Sequence, residues 1–168
     1  MKHFFRILPA IFGFAMLLSA CQSPTNNAKL ITSLSELQRV ETIFVPTFTG
    51  DPNYGDKTAS VFANTLESAL KDKGVTGIQV LRGNPRMVEG RLGPQSVVQG
   101  KAYSNHNEGF FEGFAIVNLN TADTGATQVS ISRPSKSKRG DTRWGVLESA
   151  TKLAAVDLAA SIAGEGAN

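Results

Sequence analysis

The run Thr42-Ile43-Phe44-Val45-Pro46-Thr47-Phe48, followed by Gly50-Asp51-Pro52-Asn53-Tyr54-Gly55, decides how this chain folds. β-branched and aromatic residues favour extended backbone, but Pro46 has no N–H to give to a ladder, so it must end the strand or sit where no ladder bond is needed. The Gly/Asp/Pro stretch then turns the chain. Asp56 is placed to cap a helix running to Lys73, on which Ala59, Phe62, Leu66, Ala69 and Leu70 recur at three- and four-residue steps, and Gly74 is placed to end it. A helix with one apolar stripe beside a strand of this kind buries that stripe on a sheet.

Working outward, further strands are expected from Ile78 to Leu81, Ser96 to Tyr103, Phe110 to Leu119 and Ala126 to Ser132, with Asp123-Thr124-Gly125 turning the last pair into a hairpin. A closing helix is expected from Thr142 to Ala163, with Leu147, Ala150, Ala154, Leu158 and Ile162 on one face. The fold class that follows is α+β. A mixed β-sheet of about five strands, made of strand-helix-strand and then an antiparallel meander, packs with the amphipathic helix and a C-terminal helix.

The chain has 168 residues, enough for one globular domain. Its 17 Lys+Arg against 14 Asp+Glu give a formal charge of +3, yet Lys2 and Arg6 belong to the extreme amino terminus, and without them 15 basic face 14 acidic side chains. That balance gives no electrostatic footprint for nucleic acid. One Cys cannot form an intramolecular disulfide, and His106 is the only His beyond the first twenty residues, so no metal site is expected.

Lys2 and Arg6 precede an apolar run from Ile7 to Leu18, too short for a permanent membrane helix of about 20 residues. It ends in Leu18-Ser19-Ala20-Cys21, which resembles the bacterial lipobox. That resemblance implies cleavage before Cys21, with Leu18, Ser19 and Ala20 as signal-peptidase recognition residues. It makes Cys21 the attachment point for diacylglycerol and an amide-linked chain such as palmitate. Two or more chains hold a protein stably on its membrane. Gln22, rather than Asp, after the Cys implies transfer to the outer membrane, on its periplasmic face. The expected organisation is a signal peptide over 1–20, an acylated Cys and flexible tether over 21–33, one periplasmic domain over 34–164 and a disordered tail over 165–168. Gln22 to Lys29 has no aliphatic side chain larger than Ala and cannot order itself by burial.

Phe44 to Phe48 with its turn and helix resembles the opening of the periplasmic lipoprotein domain family shared by CsgG, the TolB amino-terminal domain, LpoB and PelC. Val97-Val98-Gln99-Gly100-Lys101-Ala102 is similar to that family's apolar strand leading into Gly. Thr121 to Ser130 resembles its Asp-x-x-Thr-Gly hairpin, and Arg143 to Ile162 its terminal helix, approached here through Arg143-Trp144-Gly145. The resemblance implies a non-enzymatic accessory or scaffold of an envelope system exporting polysaccharide or protein, with an envelope protein partner or a homo-oligomer. The alternative it implies is an activator of a peptidoglycan synthase, a penicillin-binding protein. A tether of about ten residues, at most about 35 Å when stretched, is short for that role. Where the family has a second helix, Gly83 to Pro94 is too rich in Gly and Pro for one, so one sheet face is expected to lack its cover.

No catalytic residue and no cofactor are expected. His106 with Glu108 and Glu112 is the closest approach to a general acid–base pair, in a polar stretch that serves equally as a turn. No serine-nucleophile or phosphate-loop motif is present. Arg133, Lys136, Lys138, Arg139 and Arg143, opposed only by Asp141, carry a local charge of +4 before the last helix. This run is either an interaction surface for lipid phosphate, anionic glycan or acidic protein, screened over about 8 Å, or a solvated loop. Trp144 and Phe111 join it as candidate contact residues, against core burial, which is the ordinary role of Phe111 and the open alternative for Trp144.

Overall fold

A computed structural model describes residues 42–86, 94–107, 109–136 and 142–165. Strand β1 (Thr42–Val45) is followed by the two-residue β2 (Thr49–Gly50), helix α1 (Gly55–Asp72), β3 (Gln79–Arg82), β4 (Gln95–Asn107), β5 (Phe110–Thr121), β6 (Thr127–Lys136) and helix α2 (Arg143–Ile162). The sheet order is β3-β1-β4-β5-β6, with β2 also paired to β4. β3, β1 and β4 run parallel, and β4-β5-β6 form the antiparallel meander. This is the expected α+β architecture.

Alternation decides what each strand buries. Ile43, Val45, Val98, Ala102, Ala115, Val117, Leu119, Val129 and Ile131 share one face and are buried with the stripes of both helices. α1 contributes Phe62, Leu66 and Leu70, and α2 contributes Leu147, Leu158 and Ile162. Each such side chain contributes about 1.5–3 kcal/mol on burial. The helices lie parallel, because Tyr54 meets Trp144 at one end and Lys73 pairs with Glu165 at the other. Glu165, expected in the tail, also donates its N–H to the Ala160 carbonyl at 2.9 Å.

The other sheet face is divided. Thr42, Phe44 and Asn120 are buried on it, whereas Gln99, Lys101, Ser130, Ser132 and Pro134 are exposed and Tyr103, Phe114 and Ile116 half-buried. Both described helices lie on the opposite face; residues 87–93 of the Gly/Pro segment, where the missing cover is expected, lie outside the described residues.

Several boundaries differ from expectation. β1 stops before Pro46, and Thr49–Gly50 forms a separate short pairing rather than pure turn. β3 sits one residue later than Ile78 to Leu81. Asp56 lies in the first turn of α1, whose N-cap is Tyr54 with no side-chain cap, and it meets Arg82 instead. The α1 end behaves as Gly74 foretells, with the Val75 N–H donating to the Leu70 carbonyl at 3.0 Å. β4 and β6 extend past Tyr103 and Ser132. Along β4 the cause is cross-strand contact, Tyr103 stacking on Phe114 at 5.1 Å and His106 facing Phe111 at 4.7 Å, and β6 is held extended by its pairing to β5 as far as Lys136 opposite Glu112. At the other hairpin, Asp123-Thr124-Gly125 makes the turn with Gly125 at φ +69°.

Candidate functional site

Both helices begin at one pole of the domain, and the residues singled out from the sequence meet there only in part. Thr142, in extended conformation, caps α2 by accepting the Gly145 N–H at 3.1 Å. This fixes Arg143 and Trp144 in the first turn. Arg143 donates Nε to Ser104 Oγ at 3.0 Å and places Nη2 2.6 Å from Asp51 Oδ2. The Asp51 side chain is only 2% exposed, and its Oδ1 accepts the Asn53 N–H at 3.0 Å. The Arg143 contact is one of charge, since no N–H lines up on Oδ2 as a hydrogen bond. Asp51 is held by its own N–H donating to the Ala102 carbonyl at 2.9 Å, just past the β2–β4 pairing.

Trp144 is half-buried. Its ring lies 5.4 Å from that of Tyr54, and Lys57 Nζ stands 3.9 Å from the ring centroid, a cation–π contact. Glu148, one turn on, is held below the usual carboxylate range by the hydrogen bond from Lys152, then by the charge of Lys152, with smaller help from Trp144 and Lys57, against the opposing effect of burial. Behind this cluster, Gly113 of β5 leaves room for the α2 backbone: a Cβ there would strike the Val146 carbonyl. The sheet and α2 therefore touch backbone to backbone at this pole.

Of the basic run, Arg133 and Arg143 are described with their side chains, and they answer to different carboxylates. Arg133 lies within β6, not in a loop, and pairs with Asp157 of α2, which raises its pKa further through their hydrogen bond. Arg143 is committed to Asp51 and Ser104. Lys136 ends β6 in register with Glu112, and Lys138 and Arg139 lie outside the described residues, as do Leu18, Ser19, Ala20 and Cys21. Phe111 is half-buried against His106, while its neighbour Phe110 is 46% exposed.

The acid–base arrangement is split by the pleat. His106 is opposite Phe111 on the helix-bearing face, whereas Glu112 is opposite Asn105 on the other; Glu108 lies outside the described residues. Among the described residues, no group of three His, Cys, Asp or Glu side chains is placed to hold a metal ion. The pole instead offers an aromatic ring pair, a cation over the Trp144 ring and an ion pair whose carboxylate alone is buried.

Sheet order, parallel helices on one face and a backbone-close helix start define the class: a two-layer α+β domain closed by its last helix. No family model and no curated protein matches the chain. Among solved structures, the PelC dodecamer from Paraburkholderia phytofirmans matches with a TM-score of 0.51 and 19% identity, over 70% of this chain and 87% of that one. A variant of that protein in another crystal form gives 0.49 and 18%, over 74% and 87%. A minor lipoprotein from Acinetobacter baumannii gives 0.31 and 9%, over 74% and 91%. The first of these shows that the chain shares the PelC fold.

Proposed function

We propose that this protein is a lipid-anchored, non-enzymatic accessory or scaffold subunit of an envelope export or assembly system, working as several copies on the periplasmic face of the outer membrane. The observation that carries the reading is the joint occurrence of the lipobox Leu18-Ser19-Ala20-Cys21 with a fold shared with a dodecameric PelC. Cys21 supplies the anchor, residues 21–33 the tether, and residues 34–164 the domain that makes the contacts. Trp144 and Tyr54, half-buried at the helix pole, support a contact role there, since Trp and Tyr are enriched where proteins meet.

The test is native mass spectrometry of the detergent-extracted lipidated chain, with crosslinking in intact cells. A closed assembly of many copies supports the scaffold reading. A monomer crosslinked to a peptidoglycan synthase overturns it in favour of the activator.

A further inference from the structure

Pro46 interrupts the sheet between two of its pairings. β1 pairs with β4 as far as Phe44 opposite Val97, and β2 rejoins β4 at Thr49 opposite Lys101. Between these points the first chain takes five steps, Phe44 to Thr49, where β4 takes four, Val97 to Lys101, so the stretch through Pro46 and Thr47 arches away from the ladder. The arch leaves a trough of about 410 Å3 bounded by Thr47 and Thr49, by Gln99 and Lys101 on β4, and by Ile116 and Asn118 on β5. Its floor is fixed from the helix side. Gly100 has no side chain, and the Phe48 ring fills the place a Cβ would take, itself packed 5.3 Å from Phe62. Thr49 Oγ1 donates to the Gly100 carbonyl at 3.3 Å, which holds the far end of the arch on β4.

The lining is mostly polar, and its groups are ordered by strand register. Gln99 and Asn118 are cross-strand partners. Ser130 on the next strand donates to Asn118 Oδ1 at 2.7 Å, which turns the Asn118 amide so that its N–H2 is left to donate. Lys101, opposite Ile116, is the one charged residue of the lining and forms no ion pair among the described residues. Its Nζ lies 5.5 Å from the ring centroid of Tyr103, which stacks on Phe114 at 5.1 Å one step along the same face. Gln99 and Lys101 are both exposed.

A concave site of this size with a few convergent polar groups suits a small ligand or one unit of a polymer. Primary amides donate and accept at once, as sugar hydroxyls do, and Ile116 with the Tyr103 ring offers apolar surface to the C–H face of a pyranose. An ammonium with no carboxylate beside it in the lining favours a ligand that carries negative charge. A phosphate is met best by an arginine fork or a helix start, and neither lines the trough. We propose that the trough binds a carboxylate-bearing sugar unit of a glycan, with the carboxylate on Lys101 Nζ and the hydroxyls on Gln99 and Asn118. The lactyl-substituted sugars of a cell wall and the uronates of an acidic polymer share that chemistry. The site stands on the geometry of the trough and goes beyond the scaffold reading.

The test uses the full lipidated chain in an amine-oxide detergent, which contains no sugar, with isotope-labelled isoleucine methyls and the Ile116 signal followed by NMR titration. Trigalacturonate is expected to shift that signal to saturation. Maltotriose, which has the hydroxyls without the carboxylates, is expected to bind about tenfold more weakly, and triglutamate, which has the carboxylates without the sugar, to leave the signal in place. The disaccharide of N-acetylglucosamine and N-acetylmuramic acid separates the sources: binding tighter than that of trigalacturonate assigns the cell wall, and weaker binding assigns an acidic polymer. Lys101→Gln is expected to weaken trigalacturonate about tenfold while leaving maltotriose unchanged. Asn118→Asp keeps an acceptor for Ser130 but sets a carboxylate against that of the ligand, and is expected to weaken trigalacturonate by at least as much. Circular dichroism checks that both variants are folded. No shift with any sugar, a shift that Lys101→Gln leaves unchanged, or triglutamate binding as well as trigalacturonate overturns the sugar site. Native mass spectrometry of the same sample reads the oligomer separately, so loss of the sugar site leaves the scaffold reading standing.

Discussion

Arg143, in the first turn of the last helix, holds its Nη2 2.6 Å from Oδ2 of Asp51, a carboxylate 92 positions earlier whose side chain is only 2% exposed. The pair ties the turn after the first strand to the start of the closing helix. Through Ser104, which accepts from Arg143 Nε, it reaches the central strand as well. A buried carboxylate is tolerated where a cation and hydrogen-bond donors meet it, and Asn53 N–H and Arg143 are those groups.

Removing the cation leaves the carboxylate stranded. Arg143→Ala is expected to lower the free energy of unfolding by about 2 kcal/mol, less than the roughly 3–5 kcal/mol seen on breaking a fully buried pair, because the guanidinium side is 45% exposed. Asp51→Asn in the Arg143→Ala background is expected to recover part of that loss, the sign of direct coupling. Urea unfolding followed by circular dichroism measures both. A denaturation midpoint unmoved by Arg143→Ala would show that Asp51 is stabilised without its partner.

Trp144 is the only tryptophan, so its fluorescence reports the pole directly. The Glu148 carboxyl is held below its ordinary value by Lys152 first, and Trp144 contributes to the same shift. For a depressed carboxylate, the added stability is present above the unfolded-state value and is lost as pH falls through the folded-state value. The group is partly exposed, so the contribution is small, on the order of a few tenths of a kcal/mol as for an i,i+4 helix pair. The emission of Trp144 is therefore expected to change with a midpoint below the ordinary Glu range of about 4.3, and Glu148→Gln is expected to abolish that step. A midpoint at or above the ordinary value would refute the arrangement.

The layer order was legible because apolar period and turn chemistry agree along most of the chain. Ala59, Phe62 and Leu66 on α1, and Leu147, Ala154 and Leu158 on α2, are the buried stripes their spacing predicts. The hairpin extensions were not legible. Ser104-Asn105-His106-Asn107 and Arg133-Pro134-Ser135-Lys136 read as loop by composition, yet pairing with β5 keeps them extended, a tertiary effect that local propensity does not carry. For the same reason the basic run looked continuous in sequence while Arg133 and Arg143 answer to Asp157 and Asp51, partners 24 and 92 positions away. Asp51 itself carried only a turn signal, so its role at the pole had no local mark.

Two glycines thirty-two positions apart at the pole are expected to respond in opposite directions. At Gly113 an added Cβ meets the backbone carbonyl of Val146, which cannot rotate away, so Gly113→Ala must push α2 off the sheet and cost about 1–3 kcal/mol, the range for overpacking. At Gly145, inside the first turn of α2, an added Cβ meets only Thr142 Oγ1 at 3.4 Å. Gly145→Ala is expected to be neutral or to stabilise by up to about 1 kcal/mol, since Ala restricts the unfolded chain. Thermal unfolding of both variants decides the matter, and equal effects at the two positions would contradict backbone-close packing at Gly113.

Cys21→Ser tests the anchor separately from the fold. The substituted thiol is the acylation point implied by the lipobox, while the core that holds the domain lies in the described residues from Thr42 onward and contains no cysteine. No helix of the described residues is long and apolar enough to cross a membrane, so none of them offers a helical substitute for the lipid. The variant is expected to leave the membrane fraction while keeping the wild-type circular dichroism spectrum and thermal midpoint. A high-salt wash separates the two ways it could stay behind: release by salt points to charge, through residues such as Lys138 and Arg139, whereas retention after washing would overturn acylation at Cys21 as the anchor.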